Sequence, residues 1–228
     1  MKSLVFDTGP VISLTTNNLL WLLEELKKKY KGDFYLAEAA KKELIDKPLA
    51  TKKFKFEALQ VLKCINEGIL KVIPNNELEE ETLSLINLAN NCFSARGNWL
   101  RIVHYAEVSG LVACAKFNAD AFVVDERTTR LLVEGPERLA SLLKDKLHTE
   151  ITVNKENLEK FREQVKNIKI IRSVEIAAVA YELGLLNKYL PNIPNPKKIL
   201  LDSILWGVKL NGCAVSKEEI EDIIKSEK

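Results

Sequence analysis

Acidic residues stand directly after two of the short apolar stretches in this chain. Asp7 follows SLVF, and Asp125 and Glu126 follow AFVV. These stretches predict buried strands, and ligands of a parallel α/β sheet bind at the carboxyl ends of its strands. Glu107 lies in the first turn of the helix predicted before AFVV, so it can reach the same place. Carboxylates gathered at one point repel one another, which indicates a site for a cation.

Composition and charge exclude several classes of protein. The net charge is only +2, so any nucleic-acid site must come from a local patch of Lys and Arg. The four cysteines have neither CxxC nor His/Cys ligand spacing, which predicts buried thiols in a reducing compartment instead of disulfides or a zinc site. We find no signal peptide before the first strand and no apolar run long enough to span a bilayer. The sequence therefore predicts a cytoplasmic protein without a membrane anchor.

Strand-like and helix-like segments alternate along the chain, which predicts a three-layer α/β/α fold around a central parallel sheet. Because no linker is evident, we expect a single domain over residues 1–228. The small residues of the helix that contains Gly110 predict close packing on the sheet. Residues 92–99 are expected to form a loop. The predicted strands are Ser3–Phe6, Asp33–Leu36, Ile69–Ile73, Ala121–Val124 and Ile168–Ile171, and predicted helices include Ala37–Ile45, Lys52–Glu67 and Glu77–Asn91.

Each acid also has a purely structural interpretation. Asp7 can cap the helix that follows it, and Glu43 stands beside Lys41 and Lys42 on what can be a solvated helix face. Asp125 can pair with a nearby arginine. Four such placements at strand ends and adjoining helices are nevertheless less expected by chance than one.

Three segments resemble the PIN-domain family of nucleases: VFDTGPVISL, FYLAEAAKKEL and HYAEVSGLVACAKFNADAFVVDERTTR. The resemblance covers most of the chain and implies extra helices around residues 15–30 and 135–165. It also implies active-site acids at Asp7, Glu43, Glu107 and Asp125. The chain has Asp-Glu where many relatives have Asp-Asp, so the fourth acid is Asp125, Glu126 or both.

The resemblance implies an endoribonuclease that uses Mg2+ or Mn2+. Such hard cations prefer oxygen ligands, which the acidic residues supply, and one or two ions are compatible with the sequence. Homodimer formation and an antitoxin-like inhibitor stay open. The alternative is a catalytically inactive PIN-fold module that binds RNA or protein. The residues expected to contact the RNA are Thr8, Arg96, Arg127 and Arg130, with Trp99 and the lysines of residues 52–55 as further candidates.

Overall fold

A five-stranded parallel sheet forms the centre of the computed structural model, which describes residues 2–226. Its strand order is β3-β2-β1-β6-β8, so β2 and β3 are added on one side of β1, and β6 and β8 are added later on the other side. The boundary between β1 and β6 is therefore the topological switch point, where open α/β sheets bind ligands. The strands are β1 (Ser3–Phe6), β2 (Asp33–Ala37), β3 (Leu70–Ile73), β4 (Phe93–Ala95), β5 (Asn98–Trp99), β6 (Ala121–Val123), β7 (Ile151–Val153) and β8 (Ile170–Ile171).

Helices cover both faces of this sheet, which confirms the predicted three-layer α/β/α fold. They are α1 (Thr8–Thr16), α2 (Leu22–Tyr30), α3 (Glu38–Lys41), α4 (Lys47–Leu49), α5 (Lys55–Asn66), α6 (Glu79–Asn90), α7 (Tyr105–Lys116), α8 (Arg127–Glu134), α9 (Pro136–Leu147), α10 (Lys155–Val165), α11 (Ser173–Glu182), α12 (Pro196–Leu210) and α13 (Lys217–Ser226). A π-helical turn, Lys42–Asp46, connects α3 to α4.

Alternation along the strands divides the core into two layers. In β1, Leu4 and Phe6 pack with α1, α2, α5 and α11, whereas Val5 packs with α6, α7 and α10. Helix α7 lies very close to the sheet, as its small residues predict. A Cβ atom added at Gly110 would stand 2.4 Å from Cε2 of Phe122 in β6. Only glycine allows this approach, and the approach fixes the start of α7 near the carboxyl edge of the sheet.

A small antiparallel sheet replaces the loop predicted for residues 92–99. Strand β4 pairs with β5 through a turn at Arg96 and Gly97, and it also pairs with β7. Both turn residues have positive φ angles, 50° and 79°. The prediction was wrong because the partner strand β7 is distant in sequence, and it lies inside the region around residues 135–165 that was expected to be helical.

Two helix predictions also needed correction. The helix predicted at Ala37–Ile45 changes to π geometry from Lys42 onward. The helix predicted from Lys52 begins at Lys55. The four cysteines are buried and unpaired, as predicted. Within residues 2–226, every helix is too short or too polar to span a lipid bilayer.

Candidate active site

Asp7 lies at the switch point, directly after β1, and is 5% exposed. Its backbone N–H donates to Val123 O at 2.9 Å, which ties the end of β1 to β6. Its Oδ2 accepts a long bond from the Gly9 N–H at 3.4 Å and caps α1, as the structural interpretation predicts. Oδ1, however, is buried and has no hydrogen-bond partner in residues 2–226. A buried carboxylate oxygen without a partner is costly in a folded protein, so Oδ1 is an acceptor that a water or a ligand can use.

The surroundings of Asp7 disfavour its charge. The pKa of Asp7 is raised to about 7, chiefly by burial and further by the Glu107 and Glu43 carboxylates, against the opposing effect of the Thr8 and Gly9 N–H groups. These influences place Glu43 and Glu107 within electrostatic reach of Asp7. The structure thus brings three of the predicted acids together at one edge of the sheet.

Glu107 occupies the first turn of α7. Its Oε2 accepts the His104 N–H at 2.9 Å, so one oxygen caps the helix. The pKa of Glu107 is raised to about 7, chiefly by burial and further by the Glu126 and Glu43 carboxylates, whereas the His104 N–H lowers it. The nearby Thr129 hydroxyl also lowers the pKa of Glu107. This hydroxyl is buried, and it makes no hydrogen bond within residues 2–226.

Glu43 reaches the site from the π-helical turn. Its Oε2 accepts the Thr8 hydroxyl at 3.3 Å, and its Oε1 pairs with Lys47 at 3.2 Å. In a regular α-helix the ring of Pro48 would clash with the carbonyl of residue 44, which accounts for the wider turn. Turns of this kind are frequent at functional sites. Glu38 instead accepts the Asn75 N–H at 2.8 Å and pairs with Lys42 at 3.0 Å.

Asp125 lies at the same edge of the sheet, but its carboxylate is fully engaged in hydrogen bonds. It accepts the Ser13 hydroxyl at 2.7 Å, the Ser173 N–H at 2.7 Å and the Ser173 hydroxyl at 2.6 Å. These bonds join the end of β6 to α1 and α11. Glu126 is exposed and caps α8, because its Oε2 accepts the Thr129 N–H at 2.6 Å. Of these two acids, it is Glu126 whose charge acts on Glu107.

The predicted RNA-contacting arginines are not gathered at this site. Arg127 is exposed at the start of α8, and Arg130 lines a cavity with Arg172 and Glu219. Among the described residues, neither Arg127 nor Arg130 forms an ion pair within 4 Å, so the structural interpretation in which Asp125 pairs with one of them is ruled out. Arg96 stands on the turn of the small sheet.

The fit of a divalent cation rests on the donor atoms. Within residues 2–226, no group of three or more Asp, Glu, His or Cys side chains is arranged to hold a metal ion directly. Mg2+ usually keeps several waters and takes only one or two carboxylates from the protein. Asp7 offers an unpartnered oxygen, and Asp7 and Glu107 both disfavour negative charge in the absence of a cation. These oxygen donors therefore fit a hydrated Mg2+ or Mn2+.

Sequence reasoning missed the residues that hold Asp125. Ser13 and Ser173 are separated from it by 112 and 48 positions, so no local spacing reveals the contact. Ser173 does follow the short strand β8, and a hydroxyl at a strand end of a parallel sheet was a usable signal. No family model, no curated protein and no solved structure matches this chain in the comparisons with known proteins.

Proposed function

We propose that this chain is a PIN-domain endoribonuclease that hydrolyses RNA with Mg2+ or Mn2+. The observation that carries the proposal is the group of Asp7, Glu43 and Glu107 at the switch point, with an orphaned Asp7 oxygen and, within residues 2–226, no basic side chain paired with Asp7 or Glu107. Asp7 is buried and Glu107 is half-buried, and the pKa of each is raised to about 7, so their charges destabilise the fold at neutral pH and above unless a bound cation compensates them.

Asp7 and Glu107 would hold the cation, with Glu43 as a third oxygen donor. When bound, the ion supplies positive charge for the phosphate and lowers the pKa of water. Thr8 fixes the orientation of Glu43 through its hydroxyl. Glu126 is the better candidate for the fourth acid, because its charge reaches Glu107, whereas Asp125 positions β6 against α11.

The substrate and setting follow from the same proposal. Arg127, directly after Glu126, is a candidate for a phosphate contact, and Arg96 and Arg130 are candidates for contacts with other parts of the RNA. The buried free thiols suit a reducing compartment, which supports the cytoplasm as the place of action. On the PIN resemblance alone, we also propose homodimer formation and control by an antitoxin-like inhibitor.

A catalytically inactive PIN-fold module is the second candidate. Two observations favour it: no group of carboxylates in residues 2–226 is arranged to chelate a metal directly, and Asp125 is occupied by serine hydrogen bonds. Such a module would bind RNA or protein without turnover. Substitution of Asp7 would then leave the binding of RNA or protein unchanged.

The decisive experiment measures cleavage of single-stranded RNA with Mg2+ or Mn2+ and with excess chelator. Asp7→Asn keeps a capping side chain but removes the charge, and we expect it to abolish cleavage while RNA binding persists. Glu43→Gln should do the same. Glu38→Gln is its matched control, because Glu38 lies on the adjoining turn and forms the equivalent pair with Lys42 at 3.0 Å, but it accepts the Asn75 N–H in place of the Thr8 hydroxyl.

Cleavage that survives in chelator, or in Asp7→Asn purified free of other nucleases, would overturn the proposed metal-dependent mechanism at Asp7. RNA binding without cleavage by the unsubstituted protein, in either metal, would identify the inactive module. Equal losses in Glu43→Gln and Glu38→Gln would indicate damage to the fold around the π-helical turn.

A further inference from the structure

An apolar groove opens directly beside Glu43, on the side formed by α1, the π-helical turn and α5. We call it the Phe54 groove. Its apolar wall includes Ile12, Leu44 and Pro48, together with Phe54 itself. Glu43 and Glu57 are its acidic lining residues. Because Glu43 belongs to both the groove and the candidate active site, an RNA strand bound at the carboxylates can extend into the groove.

Phe54 is held in an unusual conformation at the mouth of this groove. Its φ angle is 61°, in the left-handed region that bulky side chains rarely adopt. The ring is 45% exposed, and the neighbouring Phe56 is 71% exposed. An exposed phenylalanine on a strained backbone contributes little to the core. Strain of this type persists mainly where function requires it.

Lysines alternate with these aromatic rings in the sequence Lys52-Lys53-Phe54-Lys55-Phe56. The Lys53 Nζ lies 4.6 Å from the centre of the Phe54 ring. In the part of the chain that the structure describes, none of the three lysines has a carboxylate within 4 Å. Free cations around an exposed aromatic ring are the combination that binds single-stranded nucleic acid, since the cations hold phosphates and the ring stacks on a base.

We infer that the Phe54 groove is a base-binding subsite, in which a nucleobase next to the cleaved bond stacks on Phe54 while Lys52, Lys53 and Lys55 hold the backbone. This inference rests on the proposed ribonuclease function and adds the recognition of unpaired bases. A second copy of the chain suits the surface less well, because a two-fold contact would bring its lysines together. Base-paired RNA would not offer a free base face to Phe54.

Binding of a short fluorescent single-stranded RNA, measured by anisotropy in chelator, tests the subsite without cleavage. Phe54→Asn removes the ring but suits the left-handed backbone, and it should weaken binding about 5- to 150-fold. Phe54→Trp should bind as well as the unsubstituted protein. Leu83→Ala is the matched control, because Leu83 is a 53% exposed apolar residue on α6, outside the groove, and should change nothing.

An oligonucleotide that carries abasic sites separates stacking from other effects. It should bind the unsubstituted protein weakly, and Phe54→Asn should cause no further loss. An equal loss for abasic and normal RNA would overturn the subsite. So would RNA binding unchanged in Phe54→Asn, or a dimer that light scattering shows to dissociate in that variant. Because binding is measured without turnover, a Phe54-dependent interaction in a protein that never cleaves RNA would reject the ribonuclease and retain the subsite.

Discussion

The first turns of α7 and α11 make the same local arrangement with opposite electrostatics. In each, the glutamate at the third helical position accepts the N–H of the residue before the helix. Glu107 accepts His104 N at 2.9 Å, and Glu175 accepts Arg172 N at 2.7 Å. Both helices begin at the carboxyl edge of the same sheet. Capping therefore explains a glutamate at both positions.

The difference between the two turns is the cation. The guanidinium of Arg172 donates to Glu175 in α11 at 3.0 Å and to Glu219 in α13 at 2.9 Å, so both acids are compensated by the protein itself. The acids around Glu107 have other carboxylates as neighbours, and the pKa of Glu107 rises to about 7, chiefly through burial. At the α11 turn, a carboxylate with a structural role is paired with an arginine. In the part of the chain that the structure describes, no basic side chain pairs with Glu107, so the α7 turn lacks that compensation.

Glutamine substitution at the two positions should have opposite consequences, and this is the largest expected effect. Glu107→Gln should reduce metal-dependent cleavage about 100-fold or more, equivalent to about 2.7 kcal/mol of activation free energy. In chelator its free energy of unfolding should be unchanged or higher, because a repelled charge is removed. Glu175→Gln should instead lower that free energy by about 1–3 kcal/mol, because it weakens the pairing of a nearly buried Arg172.

Cleavage assays and urea unfolding in chelator check both variants. A substantial loss of stability in Glu107→Gln would place Glu107 with Glu175 as a structural acid. Cleavage retained by a stable Glu107→Gln protein would remove it from the site.

The pH dependence of stability should also differ in sign between the two regions. Asp7 has a pKa of about 7 when folded, above its ordinary value of 3.8, so the folded state binds the extra proton. Its favourable contribution is present below the ordinary pKa and is lost as the pH rises to about 7. Asp7→Asn should therefore gain stability over the unsubstituted protein by at most about 1.4 kcal/mol per pH unit across that interval.

Glu219 provides the matched comparison for this pH effect. Burial raises its pKa, but the Ser216 N–H and Arg172 outweigh burial, so the pKa of Glu219 is lowered. Its contribution should be present at neutral pH and lost as the pH falls through that lowered value. Urea unfolding of Asp7→Asn and Glu219→Gln in chelator, across this pH range, measures both trends. A constant difference between Asp7→Asn and the unsubstituted protein would contradict the electrostatic description of the site.

The sequence allowed prediction of what depends on local pattern. Apolar runs that end in acids located Asp7 and Asp125 at the strand ends, and small residues around Gly110 predicted the close helix. The parallel sheet followed from the alternation of strands and helices. These features need only neighbouring residues for their recognition.

The rest depends on contacts between distant residues. The partners of Asp125 lie 48 and 112 positions away, and strand β4 is stabilised by β7 from another part of the chain. The π-helical turn that orients Glu43 departs from ordinary helical periodicity. That no basic side chain pairs with Glu107 within residues 2–226 is likewise a property of the assembled structure, because Arg96 and Arg101 stand close to it in the sequence.

Asp125→Asn tests whether Asp125 belongs with the repelling acids around Asp7 or with the compensated acids around Arg172. Its amide nitrogen cannot accept the bonds that the carboxylate accepts from Ser13 and Ser173. We expect the free energy of unfolding to fall by about 1–3 kcal/mol, because buried donors lose their acceptor. Cleavage should fall as well, since the end of β6 beside Asp7 is displaced. Urea unfolding measures the first effect, and a stability gain at alkaline pH would instead place Asp125 among the repelling acids.

The smallest expected effect concerns Lys47, whose pairing with Glu43 is the cationic contact that reaches the candidate site. The Lys47 side chain is 70% exposed, and such surface pairs contribute about 0–1 kcal/mol. Lys47→Gln should therefore change stability by less than about 1 kcal/mol, yet it frees Glu43 from a competing cation. We expect Mn2+ affinity, measured by calorimetry, to rise by at most about fivefold. Lys42→Gln is the control, since Lys42 forms the equivalent pair with Glu38 at 3.0 Å and should leave Mn2+ binding unchanged. Equal responses of the two variants would mean that Glu43 takes no part in holding the metal.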